Sequence, residues 1–109
     1  MNSVHLIGRV GQDPEIRVMQ GSGKSLAKLS LATSKRWRNK DGEKQEKTTW
    51  HNLVCFQEGL AMVIETYVHK GDLIAVQGEI ETRSWEKDDG EKRYVTEIIV
   101  SDLEMLVGS

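Results

Sequence analysis

Apolar and polar residues alternate along most of this chain, and one stretch interrupts the alternation. Val4, Leu6, Gly8 and Val10 alternate with His5, Ile7 and Arg9, a strand with both faces at least partly covered. Gly11-Gln12-Asp13-Pro14-Glu15 carries the single proline and reads as a turn. A short extended piece over 16–19 is ended by Gly21-Ser22-Gly23. Ala27, Leu29, Leu31 and Thr33 then alternate with Lys28, Ser30, Ala32 and Ser34, which gives a second strand with one apolar face that runs on through Trp37. Asn39-Lys40-Asp41-Gly42 is a hairpin signal, with Asp-Gly supplying the positive-φ position. On the return strand, over 47–56, Trp50, Asn52, Val54 and Phe56 occupy even positions. Thr49, His51, Leu53 and Cys55 occupy odd ones. Period two therefore puts Trp50 and Phe56 on one face and Leu53 and Cys55 on the other.

The period then lengthens. Leu60, Val63, Ile64 and Tyr67 fall at helical spacing, and His69-Lys70-Gly71 supplies basic residues and a glycine at the end, predicting a helix over 58–69. Alternation resumes over 73–85, with Ile74, Val76, Gly78 and Ile80 on one face and Gln77, Glu79, Glu81, Arg83 and Trp85 on the other. Asp88-Asp89-Gly90 marks a second hairpin, and 93–106 returns with a bulge near Ser101-Asp102. The order strand, strand, strand, helix, strand, strand predicts an all-β fold. It matches a five-stranded oligonucleotide/oligosaccharide-binding barrel (OB-fold), with one short helix between strands 3 and 4 and two long hairpin arms. A sandwich needs no helix, and a parallel α/β sheet needs several. At 109 residues, with no linker or repeat, the whole of 1–109 is expected to be a single domain.

Composition changes this picture in two places. The chain has three tryptophans, one phenylalanine and two tyrosines. The three tryptophans stand in polar surroundings: Trp37 within Lys35-Arg36-Trp37-Arg38-Asn39-Lys40, Trp50 within Thr48-Thr49-Trp50-His51-Asn52, and Trp85 between Arg83-Ser84 and Glu86-Lys87-Asp88-Asp89. Indoles exposed beside arginines suit a flat ligand on an anionic backbone, as in single-stranded nucleic acid. The net charge of −2 argues the other way, because nucleic-acid binders are usually basic. Mapping the charge weakens that objection. Lys24, Lys28, Lys35, Arg36, Arg38 and Lys40 form one stretch without an intervening acid, while the acids gather in 41–46, 79–91 and the last strand. A polyanion is steered by the local field.

Each candidate has a plainer reading. The aromatics could be core, but the face of Trp50 and Phe56 also carries Asn52, whereas Leu53 and Cys55 lie opposite. The basic run could be a solvated hairpin tip, but Trp37 sits inside it. Trp37, Trp50, Phe56 and Trp85 are therefore expected to stack on bases, with Lys35, Arg36, Arg38, Lys40 and Arg83 on phosphates. Cys55, the only cysteine, reads as a small buried hydrophobe and permits no internal disulfide. His5, His51 and His69 lack metal-ligand spacing, so no metal and no cofactor are expected. Gly21-Ser22-Gly23-Lys24-Ser25 lacks the spaced glycine of a phosphate loop, and no nucleophile motif occurs, so no enzyme is expected. No apolar run approaches membrane-spanning length and the N-terminus lacks a signal layout, which predicts a soluble, cytoplasmic protein.

Several runs resemble one family. Gly8-Arg9-Val10-Gly11-Gln12-Asp13-Pro14-Glu15-Ile16-Arg17, Leu31-Ala32-Thr33-Ser34 followed by Trp37-Arg38, and Trp50-His51-Asn52-Leu53-Val54-Cys55-Phe56 are similar to bacterial-type single-stranded DNA-binding proteins. So are Lys70-Gly71-Asp72, Gln77-Gly78, Thr82-Arg83-Ser84-Trp85 and Arg93-Tyr94-Val95-Thr96-Glu97. The runs keep their order over nearly the whole chain. The resemblance implies an OB-fold, a homotetramer, and the coating of single-stranded DNA in replication, recombination and repair. It implies base stacking at Trp37, Trp50, Phe56 and Trp85, and a subunit interface near His51 and the opening strand, at Val4 and Leu6. Three departures stand out. The basic N-terminal arm is short. Asn52, Gln57-Glu58 and Ser84 replace often-basic positions, which shifts binding toward stacking. The acidic-tipped tail is missing after Gly108-Ser109, which puts tail-mediated recruitment of replication and repair proteins in doubt and fits either a trimmed core or a phage or mobile-element protein. Two other readings remain: an OB-fold interaction module of a replication-restart accessory type, favoured if a replication protein binds better than oligonucleotide, and an RNA-binding cold-shock-like barrel, separable by matched DNA and RNA strands.

Overall fold

Wherever one side of a strand meets the interior, the alternation of the sequence carries into the folded chain. The computed structural model describes residues 1–107; Gly108 and Ser109, where the expectation about the tail falls, lie outside them. The elements are β1 (Val4–Val10), β2 (Glu15–Val18), β3 (Ser25–Arg38), β4 (Lys44–Cys55), α1 (Glu58–Tyr67), β5 (Leu73–Glu86) and β6 (Lys92–Val107). Five of the strands close on themselves in the order β1-β5-β6-β4-β3 and back to β1, which makes the OB-fold barrel. All ring pairings are antiparallel except β4 with β6, which run parallel at Leu53↔Ile98 and Val54↔Ile99. The extended piece after the proline turn is the sixth strand, β2, laid along the outside of β3 from Glu15↔Lys28 to Val18↔Ser25.

The core takes alternate residues from each strand. Ala27, Leu29 and Leu31 of β3 meet Leu53 and Cys55 of β4, Ile74 and Val76 of β5, and Ile98 and Val100 of β6. Each large side chain removed from water here stabilises the fold by about 1.5–3 kcal/mol. On β1, Val4 and Leu6 pack inward while His5, Ile7 and Arg9 stay exposed, so within the chain only one face of this strand is covered, not both.

The helix occupies its expected place but turns a different stripe inward. Ala61 and Ile64 are buried and Leu60 half-buried, while Val63 and Tyr67 face solvent. The small Ala61 lets the helix approach the barrel end, and Val68, one step past Tyr67, drops into the core in an extended conformation. That ends the helix before His69, so Gly71 is not its cap. Gly71 belongs to the following turn, which Asp72 closes by donating its N–H to the His69 carbonyl and accepting the His69 N–H on Oδ2.

Both arms extend beyond the barrel. Cross-strand pairing continues to Arg38↔Lys44 in the first and Glu86↔Lys92 in the second. The Cα radius of gyration is 16.2 Å, against about 13 Å for a compact chain of this length. Gly42 and Gly90 take the positive φ that the turns require, 79° and 85°. The Asn39 side chain accepts from the N–H groups of Asp41 and Glu43, and Asp89 accepts from Glu91. The expected bulge lies at Ser101, where Gln77 pairs with Asp102 but Gly78 with Val100. It brings the Ile99 carbonyl so close to Gly78 that a Cβ there would strike it.

Candidate nucleic-acid interface

All four singled-out aromatics lie on the surface: Trp37 is 44%, Trp50 60%, Phe56 46% and Trp85 46% exposed. These values rule out the core reading for each. The parity argument holds on β4: Leu53 and Cys55 are buried, Trp50 and Phe56 are not, and Val54 between them is covered by the strands beside it. Trp50 stands opposite Ala32 and its ring rests on Gly11, where a Cβ would strike the ring. The same register pairs Trp37 with Gln45, so Trp37 and Trp50 point to opposite faces of the first arm.

Phe56 and Trp85 are joined by a groove. One depression of about 360 Å³ is lined by Trp85, Ser30 and Asn52, and a second of about 270 Å³ by Phe56, Arg17 and Leu26. The two share Lys28, Val54, Arg83 and Glu97, which form the saddle between the aromatics.

The basic residues divide by face and by partner. Arg36 and Arg38 share the Trp50 face of the first arm, Lys35 shares the Trp37 face, and Lys40 sits at the turn. Arg36 lies 3.4 Å from Glu46, with both side chains well exposed, so this pair contributes little. Arg38 donates to the Gly42 carbonyl at the tip. Among the described residues, Lys35 and Lys40 have no ion-pair partner. Arg83 differs from all of these. Its Nε donates to Oε1 of Glu97 at 2.8 Å, the Glu97 side chain is 7% exposed, and the guanidinium carbon lies 5.7 Å from the Trp85 ring centroid.

The residues expected at a subunit interface lie elsewhere. His51 is half-buried and its Nε2 meets the Thr33 hydroxyl at 2.9 Å, while Val4 and Leu6 pack against the core. Cys55 is buried, and that burial pushes its thiol up, so it stays protonated as a small hydrophobe. No group of His, Cys, Asp or Glu among the described residues is arranged to hold a metal ion, and no helix among them is long and apolar enough to cross a membrane.

Lys28, Asn52, Ser30 and Glu97 belong to the groove and were not singled out as site residues. Their signal was present. Parity puts Lys28 opposite Val54 on the Trp50 face, and the register set by Asp88-Asp89-Gly90 puts Glu97 on the face of Arg83 and Trp85.

The family model "Single-strand binding protein family" matches residues 1–106. The single-stranded DNA-binding protein of Rhizobium meliloti (strain 1021) is 47% identical over 113 residues, covering 99% of this chain and 64% of that protein. That of Rickettsia felis (strain ATCC VR-1525 / URRWXCal2) is 44% identical over 103 residues, covering 94% of this chain and 67% of that protein. The chain thus spans about two thirds of the length of the curated relatives it matches. Among solved structures, one described as "Plasmodium falciparum SSB complex with ssDNA" superposes with a TM-score of 0.89 at 38% identity, covering 98% of this chain and 96% of that one. With agreement in sequence from end to end of the barrel and in fold across both arms, the chain belongs to the single-strand binding protein family.

Proposed function

We propose that this protein binds and protects single-stranded DNA, without catalysis and without reading base sequence, in replication, recombination and repair. The observation that carries the reading is the half-exposure of Trp37, Trp50, Phe56 and Trp85 on the barrel wall and arms, with Phe56 and Trp85 joined by one groove. An aromatic face accepts any base, and each stacked base contributes about 1–3 kcal/mol. Arg36, Arg38, Lys35 and Lys40 hold phosphates along the first arm. The strand wraps the first arm, since Trp37 and Trp50 face opposite ways on it, and reaches the second arm at Trp85.

The protein works as a homotetramer in the cytoplasm, associated with the nucleoid. What supports assembly is β1: it pairs with β5 along Val4–Arg9 but with β3 only at Arg9 and Val10, which leaves strand edge and the exposed Ile7 for another copy. The expected contact therefore runs through the β1 backbone and Ile7, with Val4 and Leu6 behind it.

Intrinsic tryptophan fluorescence during titration with oligo(dT) tests the reading. Strong quenching at low salt is the expected result, and its absence would overturn it. Trp50→Ala should weaken binding by about 1–3 kcal/mol with little change in salt dependence, because the ring carries no charge.

A further inference from the structure

We propose that Glu97 is a positioning residue that turns Arg83 from a phosphate contact into a planar companion of Trp85. The inference rests on the single-stranded DNA reading above and concerns how one part of that surface works.

The β5–β6 register pairs Arg83 with Val95 and Glu81 with Glu97, so Arg83 and Glu97 are diagonal neighbours on one face, with Trp85 next along the strand. Glu97 lies at the groove saddle with its side chain 7% exposed, and Arg83 donates Nε–H to it at 2.8 Å. A carboxylate that far from water needs a charged partner, and among the described residues Arg83 is the one ion-paired with it. The pair is close to neutral as a unit. A phosphate approaching Arg83 also approaches the fixed negative charge of Glu97, which offsets the attraction. A base brings no such charge. The guanidinium, held by Glu97 with its carbon over the Trp85 ring at 5.7 Å from the centroid, offers a base a second flat surface between Trp85 and Phe56. The first arm works differently: Arg36 meets Glu46 at 3.4 Å with both side chains in solvent, so salt and water readily separate that pair.

The readout is the slope of log K against log salt for oligo(dT) binding, followed by tryptophan fluorescence. Glu97→Gln keeps the length and an acceptor for the Arg83 Nε–H but removes the charge. Arg83 then neutralises a phosphate, and the slope steepens by about 0.7 per engaged protomer. A tenfold rise in salt therefore costs this variant roughly fivefold more affinity than the parent protein for each engaged protomer. The double variant Arg83→Gln with Glu97→Gln should keep the parent slope, because it replaces one neutral pair with another. It also carries the test if Glu97→Gln alone fails to fold, as judged by circular dichroism.

An unchanged slope in folded Glu97→Gln overturns the proposal, because a purely structural Glu97 would lower affinity equally at every salt concentration. A double variant shallower than the parent by about 0.7 overturns it too, because Arg83 would then have been an ordinary phosphate contact. Failure of the parent protein to bind oligo(dT) is a different result and overturns the DNA reading itself.

Discussion

The two arms look alike in outline and differ in where their acids sit. Each ends in a glycine turn held by an Asn or Asp side chain, and each carries a tryptophan within two residues of an arginine. In the β3–β4 arm the acid facing Arg36 is Glu46, out on the hairpin and half exposed. In the β5–β6 arm the acid facing Arg83 is Glu97, sunk into the root where the arm meets the barrel. The same two charges at the same nominal contact thus have different consequences. An exposed pair is worth little and leaves its arginine available, whereas a pair with one partner buried is bound to its place. Counting basic residues along the sequence treats Arg36 and Arg83 as equals, and burial separates them.

The largest expected effect lies at the roots. A Cβ on Gly78 would strike the backbone carbonyl of Ile99, which the bulge fixes in position. Gly78→Ala should therefore lower stability by about 3 kcal/mol, read as a reduced midpoint in urea unfolding. The corresponding contact at the root of the first arm is Gly11, where a Cβ would meet the Trp50 ring and the Ser30 hydroxyl, both side chains. A ring can swing where a carbonyl cannot. Gly11→Ala should spare the fold and show itself as weaker quenching on oligo(dT). If Gly11→Ala unfolds the protein more readily than Gly78→Ala, the second arm is not the more rigidly rooted of the two.

The alternation of β3 to β6 was legible because a barrel strand has one dry side. Leu53 and Cys55 against Trp50 and Phe56 followed from period two alone. The inward stripe of the helix was not legible. Tyr67 and Val63 fit a helical period with Leu60 and Ile64 as well as Ala61 does, and only docking on the barrel end decides between them. The three tryptophans were visible as misfits in polar surroundings, and Phe56 through its parity with Trp50. For Glu97 the face was legible from register but the burial was not, because burial of a carboxylate depends on Lys28, Val54 and Arg83 closing around it, and these come from three strands. The split between Lys35 and Arg36 is implicit in strand parity, whereas the run of charge along the chain does not distinguish the two faces.

A middle-sized effect belongs to the first arm. Arg36→Gln combined with Arg38→Gln removes two charges from the Trp50 face without disturbing the core. The salt slope for oligo(dT) should become shallower by about 1.4 per engaged protomer, two phosphates' worth. Stability should stay within about 0.5 kcal/mol, as is usual for surface substitutions. An unchanged slope would mean that neither arginine meets a phosphate, and the contrast with Arg83 would lose its charged side.

The smallest effect makes the sharpest comparison. Glu46→Gln removes the acid opposite Arg36 just as Glu97→Gln removes the one opposite Arg83. Here both partners stand in solvent, with side chains 79% and 51% exposed. Water and salt already compete with the contact, so its loss should change stability by no more than about 0.5 kcal/mol. Arg36 is available to phosphate with or without Glu46, so the salt slope should move far less than in Glu97→Gln. Parallel salt titrations of the two variants decide the matter. If Glu46→Gln steepens the slope as much as Glu97→Gln does, burial is not what separates the arms, and any acid near an arginine on this surface masks its charge equally.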